Sequence, residues 1–298
     1  MKEKVEKPRI KLPLAGQLRD RISFSELGSF KWCQWKWLLE KVFGLLTDEK
    51  SIAMSFGSAI HHGMEILYSD DKLDSNNAAE KATNKFKELL SDMKIEHESD
   101  KKEVEKLYKI IPNIFRDVLL CEDLIGIKPI KSELKLLDKI SRNDGLDLSF
   151  KGYVDFIFVK KLKIKSVIYI ADFKTCTWGW PAKKLQDPEV CAQLLLYKHF
   201  FCKLTGADPK NVTLAFILLK KTPAKGTLSV EVEKIPAGPK AIQEALNYLQ
   251  NTITQMHSYE YEQNTDSCIR KWKDAETKEE RTSICKFLNT EYCNVSVE

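Results

Sequence analysis

Apolar positions recur at helical spacing through most of the first 120 residues and at a spacing of two through much of the remaining chain. Residues 1–20 contain prolines and a glycine and more basic than acidic side chains, and read as a loosely ordered basic arm. A helix is expected next, capped by Ser23 or Ser25 and running through Leu27, Phe30, Cys33, Trp37 and Leu38 to Glu40. Further helices are expected over about 56–68, 76–93 and 99–120, the last two charged along one face as solvated helices are. Neither glycine nor proline interrupts residues 64–111, so this half reads as a helical block. Strands are then predicted over 131–137, 148–159 and 167–174, with KKLKIK as a hairpin connection between the last two. A helix opening at Pro188 or Glu189 and ending at Lys203, strands over 211–220 and 228–235, and an amphipathic helix over 239–257 complete the series.

This order suits an α/β fold with a mixed central β-sheet flanked by helices, an N-terminal helical block and a C-terminal cysteine-bearing cap. The expected division is 1–20 arm, 21–130 helical region packed on the core, 131–258 core, and 259–298 cap. With 298 residues, 43% hydrophobic and 31% charged, the chain has material for a sizeable core, which excludes a disordered or collagen-like polymer. No run of about 18 apolar residues is present to span a bilayer, and the amino terminus lacks the apolar stretch of a signal peptide. A soluble, cytoplasmic protein in a reducing compartment is therefore expected, with no membrane partner. Eight cysteines are too few for a disulfide scaffold, so they read as buried thiols or metal ligands. A net charge of +5 permits attraction to nucleic acid without demonstrating it.

Candidate chemistry concentrates in Gly152-Tyr153-Val154-Asp155 and Asp172-Phe173-Lys174. In a strand Asp172 and Lys174 share a face while Phe173 points to the other, and pairing as a hairpin brings Asp155 across from them. Two carboxylates beside an apolar core would require a cation, and a hard divalent ion is the natural candidate. Taken alone, these residues also describe an ordinary surface strand pair with a cross-strand ion pair. Glu133, in the preceding strand, reads as a surface residue or as an outlying acid of the same patch.

Gly57 and His61 upstream and Gln193 and Tyr197 downstream extend the pattern to G-x-x-x-H, G-x-x-D, D-x-K and Q-x-x-x-Y over residues 57–197. In that order these pieces resemble the PD-(D/E)XK nuclease superfamily, and within it the RecB-like branch that includes the AddB nuclease domain, the CRISPR adaptation exonucleases and phage exonucleases. Val154 stands where the nominal signature has proline, and Asp172 where it often has glutamate. The resemblance implies a restriction-endonuclease-like core and a metal-dependent DNA exonuclease acting in recombination, repair or replication. Phosphodiester hydrolysis would proceed by a metal-activated water. His61, Asp155, Asp172 and the Phe173 carbonyl would hold Mg²⁺ or Mn²⁺, Lys174 would be the catalytic lysine, and Gln193 and Tyr197 would orient Lys174 or the scissile phosphate. His62 falls off the matched position. Without the motif, His61 among Ile60, Met64 and Leu67 would read as a packed core histidine.

The same branch resembles this chain in having one cysteine before the nuclease motifs and three after them, a set that holds an iron–sulfur cluster. Cys33, Cys268, Cys285 and Cys293 would thus bind a [4Fe–4S] cluster, although the tail spacing C-x16-C-x7-C is wider than that branch usually shows. A zinc site and free thiols are the alternatives. Cys121, Cys176, Cys191 and Cys202 read as small hydrophobes. Trp32, Trp35 and Trp37 read as core, whereas Trp178 and Trp180, with Lys183 and Lys184 just beyond, fall in a loop after Lys174 where they could stack on unpaired bases and hold phosphates. The expected partner is DNA with single-stranded regions or free ends. A catalytically inactive DNA-binding or adaptor subunit with a structural cluster or zinc is the rival reading, and the intact acids and lysine argue against it.

Overall fold

The computed structural model describes residues 20–45, 51–69, 73–142, 145, 147–163, 165–258, 261–264, 266, 268–273, 280–288, 290, 292 and 293. The basic arm of residues 1–19 lies outside them. Compactness divides the chain into two units, one of Met1–Asp48, Lys139–Lys151 and Asn247–Glu298, the other of Glu49–Asp138 and Gly152–Leu246.

The second unit carries the sheet. Strands β2 (Ile127–Lys139), β3 (Ser149–Lys161), β4 (Ser166–Cys176), β5 (Val212–Lys220) and β6 (Val230–Ile235) lie side by side, β2 against β3 and the rest in chain order. The β3–β4 pair is the predicted antiparallel hairpin, with Phe156 opposite Ala171 and Lys161 opposite Ser166. β4 and β5 are parallel, Ile168 beside Val212 and Lys174 beside Leu218, and β5–β6 is antiparallel, so the sheet is mixed as the order of elements implied. A parallel neighbour requires a crossover. The chain supplies it through α6 (Ala182–Leu185) and α7 (Pro188–Thr205). Asp187 caps α7 by accepting from Glu189 N–H, Pro188 fits its first turn, and Gly206 closes it at φ 73°, a left-handed conformation that favours glycine.

Helices α3 (Ile52–Ser69), α4 (Ser75–Ser91) and α5 (Glu98–Leu120) form the predicted helical block. Their apolar faces join alternate residues of the sheet, Phe156, Phe158, Tyr169, Ala171, Phe173, Ala215 and Ile217, in one core. Gly63 permits the close approach of α3 to α5, since a Cβ there would overlap the Phe115 ring and lie 2.9 Å from the Ala82 Cβ. Because residues on a strand alternate, filling one face with Phe156, Ala171 and Phe173 turns Asp155, Asp172 and Lys174 to the other.

In the first unit β1 (Arg21–Ser23) pairs in parallel with the start of β3, and Ser23 and Glu26 form a reciprocal capping box on α1 (Phe24–Trp32). The single helix expected as far as Glu40 is broken at Cys33, which is extended (φ −158°, ψ 109°). Its sulfur accepts the Lys36 N–H at 3.4 Å and so starts a second helical turn, α2 (Gln34–Trp37), which passes into a π-turn over Leu38–Val42. A backbone N–H satisfied by a thiol replaces one satisfied within a helix, which periodicity does not report. Phe30 and Trp37 meet edge to face at 5.2 Å, with Tyr261 against both. Helix α8 (Pro239–Met256) ends in this unit, followed by a hairpin of β7 (Ile269–Lys273) and β8 (Glu280–Ile284) in a tail whose polar sequence gave no element.

Candidate active site

The site lies where β3 and β4 part. Paired residues end at Phe156 and Ala171, and in the same register Asp155 stands opposite Asp172. Beyond that point the Asp155 carboxylate takes the place of the ladder, its Oδ2 accepting the Phe173 N–H at 3.0 Å. His61, one turn along α3 from Gly57, reaches both strands, with Nε2 2.9 Å from the Phe173 carbonyl oxygen and Nδ1 3.4 Å from Asp155 Oδ2. Lys174 Nζ lies 2.6 Å from Asp172 Oδ2. That oxygen has a charge partner but no hydrogen bond of good geometry, on a carboxylate only 1% exposed. The residues of all four motifs therefore meet in one place.

Helix α7 contributes a short relay. Lys174 Nζ donates to Gln193 Oε1 at 3.3 Å, and Gln193 Nε2 donates to the Tyr197 hydroxyl at 3.1 Å. The Tyr153 backbone hydrogen-bonds the same hydroxyl. One helical turn separates Gln193 from Tyr197, which is why a Q-x-x-x-Y spacing places both over the sheet. Burial, slightly offset by the Gln193 bond, pushes the Tyr197 phenol up to about 12, so it acts as a neutral hydrogen-bonding group.

Burial, and next the Asp172 charge, push the Asp155 carboxyl up to about 8. Burial also holds the His61 imidazole below its usual 6.5, against the pull of Asp172. Glu133 is raised by desolvation and then by Glu65 and Asp172. Glu133 is exposed on β2, as the plain surface reading has it, and the charges of Glu65 and Asp172 act on it at the rim of the site. It is also the one non-glycine among the described residues with positive φ, 50°, in the middle of β2. A side chain in that conformation is strained, and no residue-type pattern announces it. Glu65 pairs loosely with His62 at 3.9 Å, and Gly57, Ser58, His61, His62 and Glu65 line a cavity of about 340 Å³ along α3.

The donor set fits a hard or borderline divalent cation. Two carboxylates, an imidazole and a carbonyl converge, one carboxylate has a buried oxygen without a hydrogen bond, and the other is pushed toward its protonated form by burial and the Asp172 charge. As they stand, the groups are closed on one another, and no cluster of three or more His, Cys, Asp or Glu side chains among the described residues is set at ligand geometry.

A model of the PD-(D/E)XK nuclease superfamily matches residues 21–295. The chain belongs to this superfamily. No curated protein matches it. The mixed sheet with flanking helices is consistent with the restriction-endonuclease-like α/β core of PD-(D/E)XK nucleases, which typically use Mg²⁺ or Mn²⁺ and act on nucleic acid. No helix among the described residues is long and apolar enough to cross a membrane.

The remaining candidates fall at two places. Trp178 is exposed, whereas Trp180 packs on Phe216 at 4.9 Å under Lys184, whose Nζ is 3.9 Å from the ring centroid. Lys183 is exposed beside it. In the first unit, Cys33, Cys268 and Cys293 are buried and Cys285 is half-buried. The Cys268 thiol hydrogen-bonds those of Cys285 and Cys293, and Cys33 acts on both Cys268 and Cys293. Burial first, then the neighbouring thiols, push Cys293 up to about 11. Trp35 and Trp37 are core residues as expected, with Trp35 Nε1 donating to the Tyr292 carbonyl at 2.7 Å, while Trp32 stacks under Lys36.

Proposed function

We propose that this chain is a metal-dependent deoxyribonuclease of the RecB-like branch that degrades DNA from free ends, in recombination, repair or replication. The observation that carries the reading is the meeting of Asp155, Asp172, His61 and the Phe173 carbonyl with a lysine held by Asp172 and Gln193. Asp155, Asp172, His61 and the Phe173 carbonyl would hold Mg²⁺ or Mn²⁺. When bound, such an ion supplies an acidified water and charge neutralisation at the phosphate. Lys174, 34% exposed on its side chain, can leave its contact with Asp172 and place a positive charge on a nonbridging phosphate oxygen. Gln193 fixes where that ammonium sits, and Tyr197 fixes the amide of Gln193 so that its oxygen faces the lysine. Glu65 and Glu133 add negative charge at the rim, which favours a cation and disfavours a phosphodiester that arrives without one.

End-labelled linear DNA and a circular DNA of the same sequence, incubated with Mn²⁺, test this. Linear DNA should be consumed and the circle spared, and Lys174→Ala should abolish cleavage while preserving the melting temperature. Full activity of that variant would overturn the assignment of Lys174, and prompt nicking of the circle would overturn the dependence on ends.

The mutual influence of the Cys33, Cys268, Cys285 and Cys293 thiols, which do not stand at ligand geometry, supports a second part of the proposal, a [4Fe–4S] cluster with zinc as the alternative. Thiols whose ionisation is opposed by burial and by one another are stabilised as thiolates by a metal centre. A brown anaerobic preparation with iron and sulfide supports the cluster; a colourless one with stoichiometric zinc supports the alternative. Metal-free protein refutes both.

A further inference from the structure

The loop after β4 is built to hold one aromatic side chain in solvent. Its backbone is tied to the end of β5, with Lys221 N–H donating to the Cys176 carbonyl and Thr222 N–H to the Thr177 carbonyl, both at 2.8 Å. Gly179, at φ 137°, turns the chain where a Cβ would stand 3.2 Å from Glu231 Oε2. Trp180 then anchors the loop on Phe216, with Lys184 Nζ over its ring. Trp178, between these fixed points, is left 59% exposed.

The position of the anchor sets the position of the loop. Phe216 is the in-register neighbour of Asp172, and neighbouring residues of paired strands share a face about 5 Å apart. Trp180 therefore covers the strand beside the acidic pair, and Trp178 lies in the loop that this anchor holds, four residues after Lys174.

We infer that Trp178 is a stacking platform for an unpaired nucleobase, and that through it the site selects a single-stranded end over a blunt duplex end. The inference rests on the deoxyribonuclease reading and adds its substrate class. An exposed indole on a fixed loop loses little conformational freedom on binding, and every base offers it a face. In a duplex both faces of an interior base are already covered by neighbours and a blunt end offers only the outer face of its last pair, so the platform gains more from a single strand, in which every base can turn a face to it. Charge acts in the same direction. Lys183 is exposed and available for the phosphates of one strand, while Glu231 and Glu233, on β6 beyond Phe216, oppose the backbone of a second strand. Lys220 offsets Glu231 only in part, at 3.5 Å.

The test is equilibrium binding of the full chain, with Ca²⁺ in place of Mn²⁺, to fluorescein-labelled (dT)12 and to a blunt 12-base-pair duplex, for wild type, Trp178→Ala and Trp178→Phe. Trp178→Ala should weaken (dT)12 binding about five- to hundredfold, the worth of one stacked base, and change duplex binding less than about twofold. Trp178→Phe, which keeps a ring, should retain most of the affinity. Equal losses on both DNAs, or unchanged (dT)12 binding by Trp178→Ala, overturn the inference. Cleavage of linear DNA by the wild type in Mn²⁺, run alongside, separates the two readings. If it occurs and depends on Lys174 while Trp178→Ala binds normally, the platform is wrong and the nuclease reading stands. If it does not occur, the nuclease reading itself fails.

Discussion

Replacing Asp155 with asparagine keeps an oxygen for the Phe173 N–H and removes a carboxylate that the folded chain is reluctant to ionise. Burial and the Asp172 charge push that carboxyl from 3.8 up to about 8. The metal-free folded state therefore keeps a proton that the unfolded chain releases near pH 4. Stability from this group is fully present below that pH and is lost as pH rises toward 8, at about 1.4 kcal/mol per pH unit. His61 works in the opposite sense. Its folded imidazole is held below 6.5, so the unfolded chain binds the extra proton and stability rises with pH only up to about 6.5. Between pH 6.5 and 8 His61 no longer opposes the Asp155 effect, which amounts to about 2 kcal/mol and for a chain of this size lowers the melting temperature by roughly 3 °C. Thermal melts in EDTA across that window should slope downward for the wild type and run nearly flat for Asp155→Asn. Mn²⁺ should stabilise the wild type more at pH 8 than at pH 6, because at low pH it displaces the proton, and should lose most of that effect in the variant. Parallel pH profiles of the two proteins would refute the proton on Asp155, and equal stabilisation by Mn²⁺ would refute its place among the ligands.

The relay on α7 predicts graded effects. Gln193→Ala leaves Lys174 held by Asp172 alone and should lower the cleavage rate about tenfold or more, while Tyr197→Phe, which leaves Gln193 in place but unoriented, should cost less; both should keep Mn²⁺ binding, read by thermal shift. Two glycines of α3 should part in behaviour. Gly63→Ala meets Phe115 and Ala82 and should destabilise by about 1–3 kcal/mol, whereas the Cβ of Gly57→Ala would be an ordinary 3.6 Å from Thr175 Oγ1 and should leave stability unchanged or up to about 1 kcal/mol higher. Urea melts decide both. A stable Gly57→Ala protein with poor cleavage would show that this glycine serves the approach of substrate.

The range of the forces involved decides which features are legible in the sequence and which are not. Alternation along 148–159 marks β3, and the apolar run 167–171, buried on both faces, marks β4, where the two-residue period puts Asp172 and Lys174 on one face. Spacing on helices marks His61, Gln193 and Tyr197. Each of these signals is local. The break at Cys33 is not, because an apolar spacing that suits one long helix also suits two short ones, and only a thiol in reach of the Lys36 N–H decides between them. Trp178 and Trp180 look alike in sequence, and Phe216, on a strand more than thirty residues later, separates the anchored ring from the exposed one. The partners that set the ionisation of Asp155 also come from distant segments, so the residue can be named from its motif while its state cannot.

Glu133 is exposed, as its sequence suggests, but its backbone conformation is not legible there. Its φ of 50° costs about 1–2 kcal/mol relative to an extended residue, in a strand where glycine or an ordinary β conformation would avoid the cost. Strain of this kind persists when something else depends on it, and here its charge acts on Asp155 and feels Asp172 and Glu65. Two substitutions separate the backbone from the carboxylate. Glu133→Gln keeps the strain and removes the charge, so stability should change little and the pH at which Asp155 titrates should fall, since Glu133 is among the groups that raise it. Glu133→Gly removes both, so it should move the titration by the same amount while melting at or above the temperature of Glu133→Gln. A glycine variant less stable than the glutamine variant would show that the backbone there is not strained, and an unmoved titration in both would detach Glu133 from the site.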